Sequence, residues 1–460
     1  MESTHNSDDQ LGETESSPDD SLSESLILEL GGPGAVEAAD LEFDQLIREN
    51  QLEESDVAAP GLEVLPPDQS AGMNEWYMYG VELIRRASWQ SASAAFEHAI
   101  SAAAEQSTVR SARVMACLGY TLMKSGRPEE SIPQYRAALE RVPEMVGAHT
   151  GLAAATLQVA DQAAAMEAFA EAIRVVTRSV PLHFNYGNLL AAAGRHDEAK
   201  AAFFAALALD QQHLPSLINL GVLHAKQGRL DDAIDAFTRA CKMPGQKRRA
   251  QFNMGLVLGR LKRWGEAIQV LRVLMDDYPD ATRPRILAAR VLRCASRGLE
   301  AIEILDNYME WPSRRAPACE LLGLVHHDLG NSDQAMAFWR EALAADPSFV
   351  RVHVHIARAR LCDGEITEAD VAIQAAIELR PERAASWTVS GQIDFARDRF
   401  DRAIESLGRA IELDPKDAVA QYWLGRSHLS KGSMIGALRQ CEQLEAMCPK
   451  LAARLRARVY

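Results

Sequence analysis

The chain has 460 residues, 47% of them hydrophobic and 25% charged, and a formal net charge of −15 at pH 7. Residues 1–72 hold nineteen acids and one base, Arg48, a balance of −18, which leaves residues 73–460 at +3. No stretch pairs a basic start with a long apolar run, which argues against a signal peptide or a membrane span, and the seven cysteines without a CxxC point to reduced thiols in a cytoplasmic setting.

Residues 1–72 are rich in Ser, Glu, Asp, Gly and Pro and carry one aromatic, Phe43. Such a segment cannot bury enough apolar surface to offset the entropy of ordering, so a disordered acidic tail is expected. Two islands interrupt it, "SLSESLILEL" (21–30) and "ADLEFDQLIRENQL" (39–52). In the second, Leu41, Phe43, Leu46 and Ile47 gather on one side of a helix, the pattern of a motif that folds on binding.

From Met73 the chain repeats. Units begin at 73, 112, 146, 180, 214, 248, 282, 316, 350, 384 and 418, and from 112 onward the interval is constant, without a slip. The eighth residue is always Gly or Ala, as in Gly187, Gly221 and Ala357, and the twentieth is Ala in ten units and Ser131 in the other. Within each unit two runs have helical spacing. A break near position 15, with Gly126, Gly194, Gly228, Gly330, Gly364 and Gly432, predicts a helix end at positive φ. A second, with Pro143, Pro279, Pro347, Pro381, Pro415 and Pro449 at position 32, predicts the end of the second helix. Helices of about a dozen residues cannot cover their apolar faces alone, so neighbouring units must stack.

Trp387, Gly391, Ala403, Ala410 and Pro415, and again Gly425, Ala437 and Pro449, match the tetratricopeptide repeat (TPR) signature in spacing. The chain resembles that family over eleven units. The resemblance implies an all-α fold, a right-handed α-solenoid of about eleven helix-turn-helix repeats. The expected organisation is a tail (1–72), a superhelix (73–451) and a capping segment (452–460), basic on its outer side. Looser stacking is expected near Tyr308 and Trp311, which replace an alanine and a charged turn.

In TPR proteins the first helices line a concave groove, and the repeats of O-GlcNAc transferases carry an asparagine ladder at position 6 that grips a peptide backbone. Asn185, Asn219 and Asn253 occupy that position in three successive units and resemble a short ladder, with Asn188 beside it. A side-chain amide can donate to a peptide C=O and accept from its N–H without reading sequence. At the other groove positions, 2, 5, 9, 12 and 13 by family analogy, stand ten arginines and two lysines against two acids, Glu320 and Asp328. The arginines Arg249, Arg260, Arg283, Arg290, Arg293, Arg351, Arg358 and Arg426 predict a basic groove, and Phe184 and Phe252 predict apolar pockets within it.

Groove aromatics and arginines could also hold single-stranded nucleic acid, but a nearly neutral repeat region and an acidic tail disfavour it. No Gly-rich phosphate loop, GxSxG or HExxH is present, so neither an enzyme nor a cofactor is expected. The one ligand-like cluster, His326, His327, His353, His355 and Cys362, reads as packing or solvated histidines rather than a metal site. The sequence thus predicts a non-enzymatic, cytoplasmic adaptor that binds an extended acidic peptide, with no membrane partner and with its own tail as a candidate intramolecular ligand. The alternatives are a self-assembling scaffold and a substrate-presenting subunit of a separate enzyme such as a glycosyltransferase.

Overall fold

A computed structural model describes residues 66–68, 70–102, 108–159, 162–243, 247–279, 281–306 and 315–459. The tail islands, Tyr308 and Trp311 lie outside them. The described residues form twenty-three helices and no strand. In chain order they pair as α1 (Met73–Arg85) with α2 (Trp89–Ser101), α3 (Thr108–Lys124) with α4 (Pro128–Arg141), and α5 (Val146–Gln158) with α6 (Gln162–Val175). Next come α7 (Val180–Ala192) with α8 (His196–Leu209), α9 (Leu214–Lys226) with α10 (Leu230–Lys242), and α11 (Arg248–Arg260) with α12 (Trp264–Asp277). The pairs α13 (Thr282–Cys294) and α14 (Gly298–Asp306), α15 (Arg315–Asp328) and α16 (Ser332–Ala345), and α17 (Val350–Cys362) and α18 (Ile366–Leu379) follow. The last are α19 (Ala384–Ala396) with α20 (Phe400–Leu413) and α21 (Ala418–Ser430) with α22 (Met434–Met447), closed by α23 (Pro449–Val459).

The turns fall where the sequence breaks. The position-15 glycines have φ between 76° and 82°. Where the repeat lacks that glycine, Ala87, Lys262, Ser296 and Asp398 take φ of 54–60° at the same position, so the turn geometry is imposed by the helix pair rather than by the residue. Second helices end just ahead of the position-32 prolines, as Leu379 does before Pro381 and Leu413 before Pro415.

What the sequence pattern did not reveal is the residue that fills the space beside position 8. It is position 24 of the second helix, occupied by fully buried Phe96, Phe169, Phe203, Phe237 and Trp339. A Cβ added to Gly187 would lie 2.6 Å from the Phe203 ring, one on Gly221 2.6 Å from Phe237, and one on Gly323 2.3 Å from Trp339. The glycine is a socket for the ring. Where position 8 is Ala289 or Ala357, position 24 shrinks to Leu305 or Ile373; Ala153 with Phe169, Gly255 with Leu271 and Gly391 with Leu407 depart from that pairing. In the last pair position 24 is Cys441, and the space beside Gly425 is taken by Leu455 of α23, where a Cβ would lie 2.3 Å away.

The described chain divides into two compact units, one running to Val257 and the other starting at Leu258. Within each, first helices touch the first helices of adjacent repeats, as α5 touches α3 and α7, and α19 touches α17 and α21. Their outward residues therefore form one continuous face per unit.

The socket makes a prediction. Gly221→Ala should overpack Phe237 and cost about 1–3 kcal/mol. Adding Phe237→Leu, which recreates the pairing of Ala289 with Leu305, should cost less than the sum of the single changes. Urea denaturation of the two single variants and the double variant checks this, and strict additivity would contradict it.

Candidate functional site

Three of the four asparagines are buried and Asn188 is half-buried. Asn185, Asn219 and Asn253 are 3%, 0% and 3% exposed, because adjacent first helices pack closely enough to cover position 6. The expected ladder is corrected accordingly: these three amides are covered by the fold and are not an open row. Asn219 Nδ2 donates to the half-buried Asn188 Oδ1 at 2.6 Å, joining α9 to α7. Two atoms beside that bond are buried without a hydrogen-bond partner: Asn185 Oδ1, an acceptor, and Asn188 Nδ2, a donor. Asn253 is on α11, where Arg249 and Phe252 are half-buried.

The aromatic pockets are also revised. Phe184 is 7% exposed, with its ring 5.9 Å from Phe203 and edge-on to His213 at 5.1 Å, so it belongs to the core that seats α8. Tyr120 and Tyr422, two more aromatics at groove positions, are likewise buried.

The arginines behave differently in the unit that starts at Leu258. Here α13, α15 and α17 bring together side chains from three repeats around one carboxylate. Glu320 is 2% exposed. Arg351 Nη2 donates to its Oε2 at 2.7 Å, Arg290 lies 3.8 Å away, and His355 Nε2 is 3.4 Å from Oε1. Burial alone would raise the Glu320 carboxyl, but the His355 contact and the Arg351 and Arg290 charges outweigh it and hold it below the usual range. Burial lowers His355 despite Glu320 beside it, and it also lowers Arg290. A second pair, Arg293 to Asp328 at 2.5 Å, ties α13 to α15. The predicted basic face is therefore partly neutralised from within. Three of its arginines hold the stack together, yet Arg283, Arg290, Arg293, Arg351 and Arg358 still outnumber Glu320 and Asp328 by three. Arg283 is exposed and Arg358 half-buried. Arg260 is half-buried at the end of α11, and Arg426 stacks over Phe395 and Trp423 at 4.7 and 4.5 Å.

The histidines have structural partners. His353 contacts the Pro347 carbonyl at 3.4 Å, His326 stacks on Phe338, and His327 and His355 flank Trp339. The His353 contact belongs to a series missed in the sequence. At position 4, His149 contacts Pro143 O at 2.8 Å, Arg285 Nη2 donates to Pro279 O at 2.8 Å and Trp387 Nε1 to Pro381 O at 2.7 Å. Each satisfies a carbonyl of the preceding loop. A long polar or ring N–H side chain at a fixed offset after the position-32 proline was the available signal. Among the described residues no three His, Cys, Asp or Glu side chains are grouped to hold a metal ion, and no helix is long and apolar enough to cross a membrane.

The Glu320 cluster predicts an acid response. Glu320→Gln removes this counter-charge from the buried Arg290 and the half-buried Arg351 and should cost about 3 kcal/mol in urea denaturation. Because His355 is held below its ordinary value of about 6.5, the unfolded chain binds a proton that the folded chain refuses, so stability should fall as pH drops below that value. It should fall again below about 4.3, as the depressed Glu320 carboxyl is forced to protonate. His149, His213, His224, His326 and His428 are lowered by burial as well. His355→Phe should therefore make the first descent shallower without removing it, and should weaken the second, because it deletes a contact that lowers Glu320. An unchanged profile would contradict the role assigned to His355.

Comparison with known proteins places this architecture. Models described as "Tetratricopeptide repeat" match residues 118–181, 184–246, 218–282 and 316–349, and one described as "TPR repeat" matches 391–432. Together they span just over half of the chain. A stretch of 93 residues is 29% identical to a peroxisomal targeting signal receptor of Pichia angusta, covering 20% of this chain and 16% of that receptor. Among solved structures, a tetratricopeptide repeat protein from Parabacteroides merdae is 14% identical and aligns over 51% of this chain and 93% of its own, with a TM-score of 0.40. YrrB, described as a TPR protein with an unusual peptide-binding site, is 21% identical over 41% of this chain and 96% of its own, with a TM-score of 0.35. With helix pairs recurring at the constant interval read in the sequence, and family models matching most of the same span, the chain belongs to the tetratricopeptide repeat family.

Proposed function

We propose that the protein is a non-catalytic adaptor that holds extended, acidic peptide segments of a partner on the face that the first helices form in each unit. The observation that carries this reading is the pair of unsatisfied amide atoms on α7. Asn185 Oδ1 lacks a donor and Asn188 Nδ2 lacks an acceptor. One residue of an extended peptide supplies both, its N–H for the first and its own C=O for the second, because in extended backbone these two groups point to the same side. A buried polar atom without a partner costs on the order of 1–3 kcal/mol, so a ligand that completes the set recovers free energy the apo protein forgoes. The acidic preference rests on the excess of arginine on α13, α15 and α17, where charge-assisted pairs to carboxylates are strong. Residues 1–72, with their balance of −18, are proposed as an intramolecular competitor for the basic face of the unit that starts at Leu258. Work inside the cytoplasm and an absence of nucleic-acid partners belong to this proposal.

Two tests follow. Asn185→Leu removes the orphaned acceptor, so it should stabilise the free protein by about 1 kcal/mol while weakening an alternating Glu/Ser dodecapeptide roughly tenfold. Lower stability, or unchanged affinity in calorimetry, would sink the amide reading. Separately, Arg283→Glu with Arg358→Glu should remove most binding of that peptide to the unit that starts at Leu258, and wild-type affinity should fall with salt as screening shortens to about 8 Å near 0.15 M. Arg290 and Arg351 are left intact because they hold Glu320. Salt-independent binding, or concentration-dependent assembly without peptide binding, would favour a self-assembling scaffold. Deleting residues 1–72 should tighten peptide binding at low salt, and equal affinity would remove the tail from the mechanism.

A further inference from the structure

A second feature stands apart from the first-helix face and does not rest on the peptide reading. Position 7 of the first helix carries Leu, Ile, Met, Tyr or Ala in every repeat except the tenth, where it is Ser390. Position 11 carries a carboxylate only there, as Asp394. Both lie on α19, and where a larger apolar side chain would fill the space between α18, α19 and α20 the structure has a recess of about 360 Å³. That is at the small end of the range for small-molecule sites.

Its lining is chemically mixed. Trp387 forms a wall, and its indole N–H is already committed to Pro381 O, so the ring offers a face rather than a hydrogen bond. Ser390 is 6% exposed. The Asp394 side chain is 15% exposed, its contact with Arg399 is a long 4.0 Å, and burial pushes its carboxyl up. A carboxylate so poorly solvated is stabilised by an added cation. Asp370 also borders the space but is paired with Arg397, which leaves Asp394 and Glu405 as acids facing Arg399 and Arg402. Charge of both signs beside an aromatic face is not a surface for nucleotides, whose phosphates the acids would repel. It suits a molecule that carries both charges on a short apolar frame.

We propose that this recess binds a small zwitterion of the amino-acid class. The ammonium group sits against Asp394 and Glu405, where the Trp387 face adds a cation–π contribution. The carboxylate meets Arg402 and Arg399, and the apolar part rests on the Trp387 ring. The repeat thus gives up apolar packing at position 7 and sets a carboxylate at position 11 to make a ligand site.

The test is calorimetric titration of the full chain with each of the twenty free L-amino acids, with n-butylamine and propionate as singly charged controls. At least one amino acid should bind with one-to-one stoichiometry, and its N-acetyl and carboxamide derivatives should bind at least about tenfold more weakly, since each lacks one charge-assisted contact. Ser390→Leu restores the residue of five other repeats and fills the recess, so it should abolish binding while helical circular dichroism is retained. Arg402→Ala, at an exposed position, should weaken binding about tenfold without touching the core and keeps the test valid if Ser390→Leu misfolds. No binding by any amino acid, equal binding of n-butylamine, or full binding by Ser390→Leu or Arg402→Ala would each overturn the proposal.

Discussion

The approach of a position-24 ring to a position-8 glycine is the contact on which the rest of the molecule depends. Two helices of about thirteen residues have little stability alone, since propensity contributes tenths of a kcal/mol per residue. Burying a Phe, Leu or Trp at position 24 contributes roughly 1.5–3 kcal/mol per repeat, and only if the partner helix lies close enough to leave no void. A bare Cα at Gly187, Gly221 or Gly323 permits that approach. The turn then has no freedom: Lys262 and Asp398 accept positive φ because the pair demands it. At the end of the array α23 supplies Leu455 where Cys441 is too small, the same rule met by a different residue.

Close pairing also decides what the first helices can present. They lie near enough in successive repeats to bury position 6, which turns the asparagines from surface rungs into a covered amide set with two unmet valences. The same proximity lets Glu320 bind Arg290 from the repeat before and Arg351 from the repeat after. Charges on this face thus hold repeats in register and leave an excess of arginine over acid on α13, α15 and α17. Replacing a buried ion cluster of this kind by apolar residues is often neutral or stabilising, so its value lies as much in the residual positive charge as in stability.

The period, the small residues at 8 and 20, the turn at 15 and the stop at 32 were legible because each is a local steric demand that recurs in unit after unit. Position 24 escaped notice because Phe, Tyr, Trp, Leu, Ile and Cys all occur there, and a variable apolar residue in a helix looks like any other core position. The site was legible by position but not by environment. A count of groove arginines cannot show that Glu320 sits between Arg290 and Arg351, each contributed by a neighbouring first helix. Nor does a recurring Asn state its depth, which depends on how tightly two helices pack. The tenth-repeat recess was visible as a departure, Ser390 where other repeats are apolar and Asp394 as the lone carboxylate at its position, but only the packed structure gives it volume.

The most direct measurement of the central claim, that buried amide atoms on α7 recognise a peptide backbone, is an ester scan of a bound acidic peptide. Each ester deletes one backbone N–H and leaves the side chains unchanged. An ester at one position should lower affinity for the wild-type protein about fivefold, the worth of one hydrogen bond, and have no effect on Asn185→Leu. Equal losses in both proteins, or no position at which the ester matters, would contradict that claim.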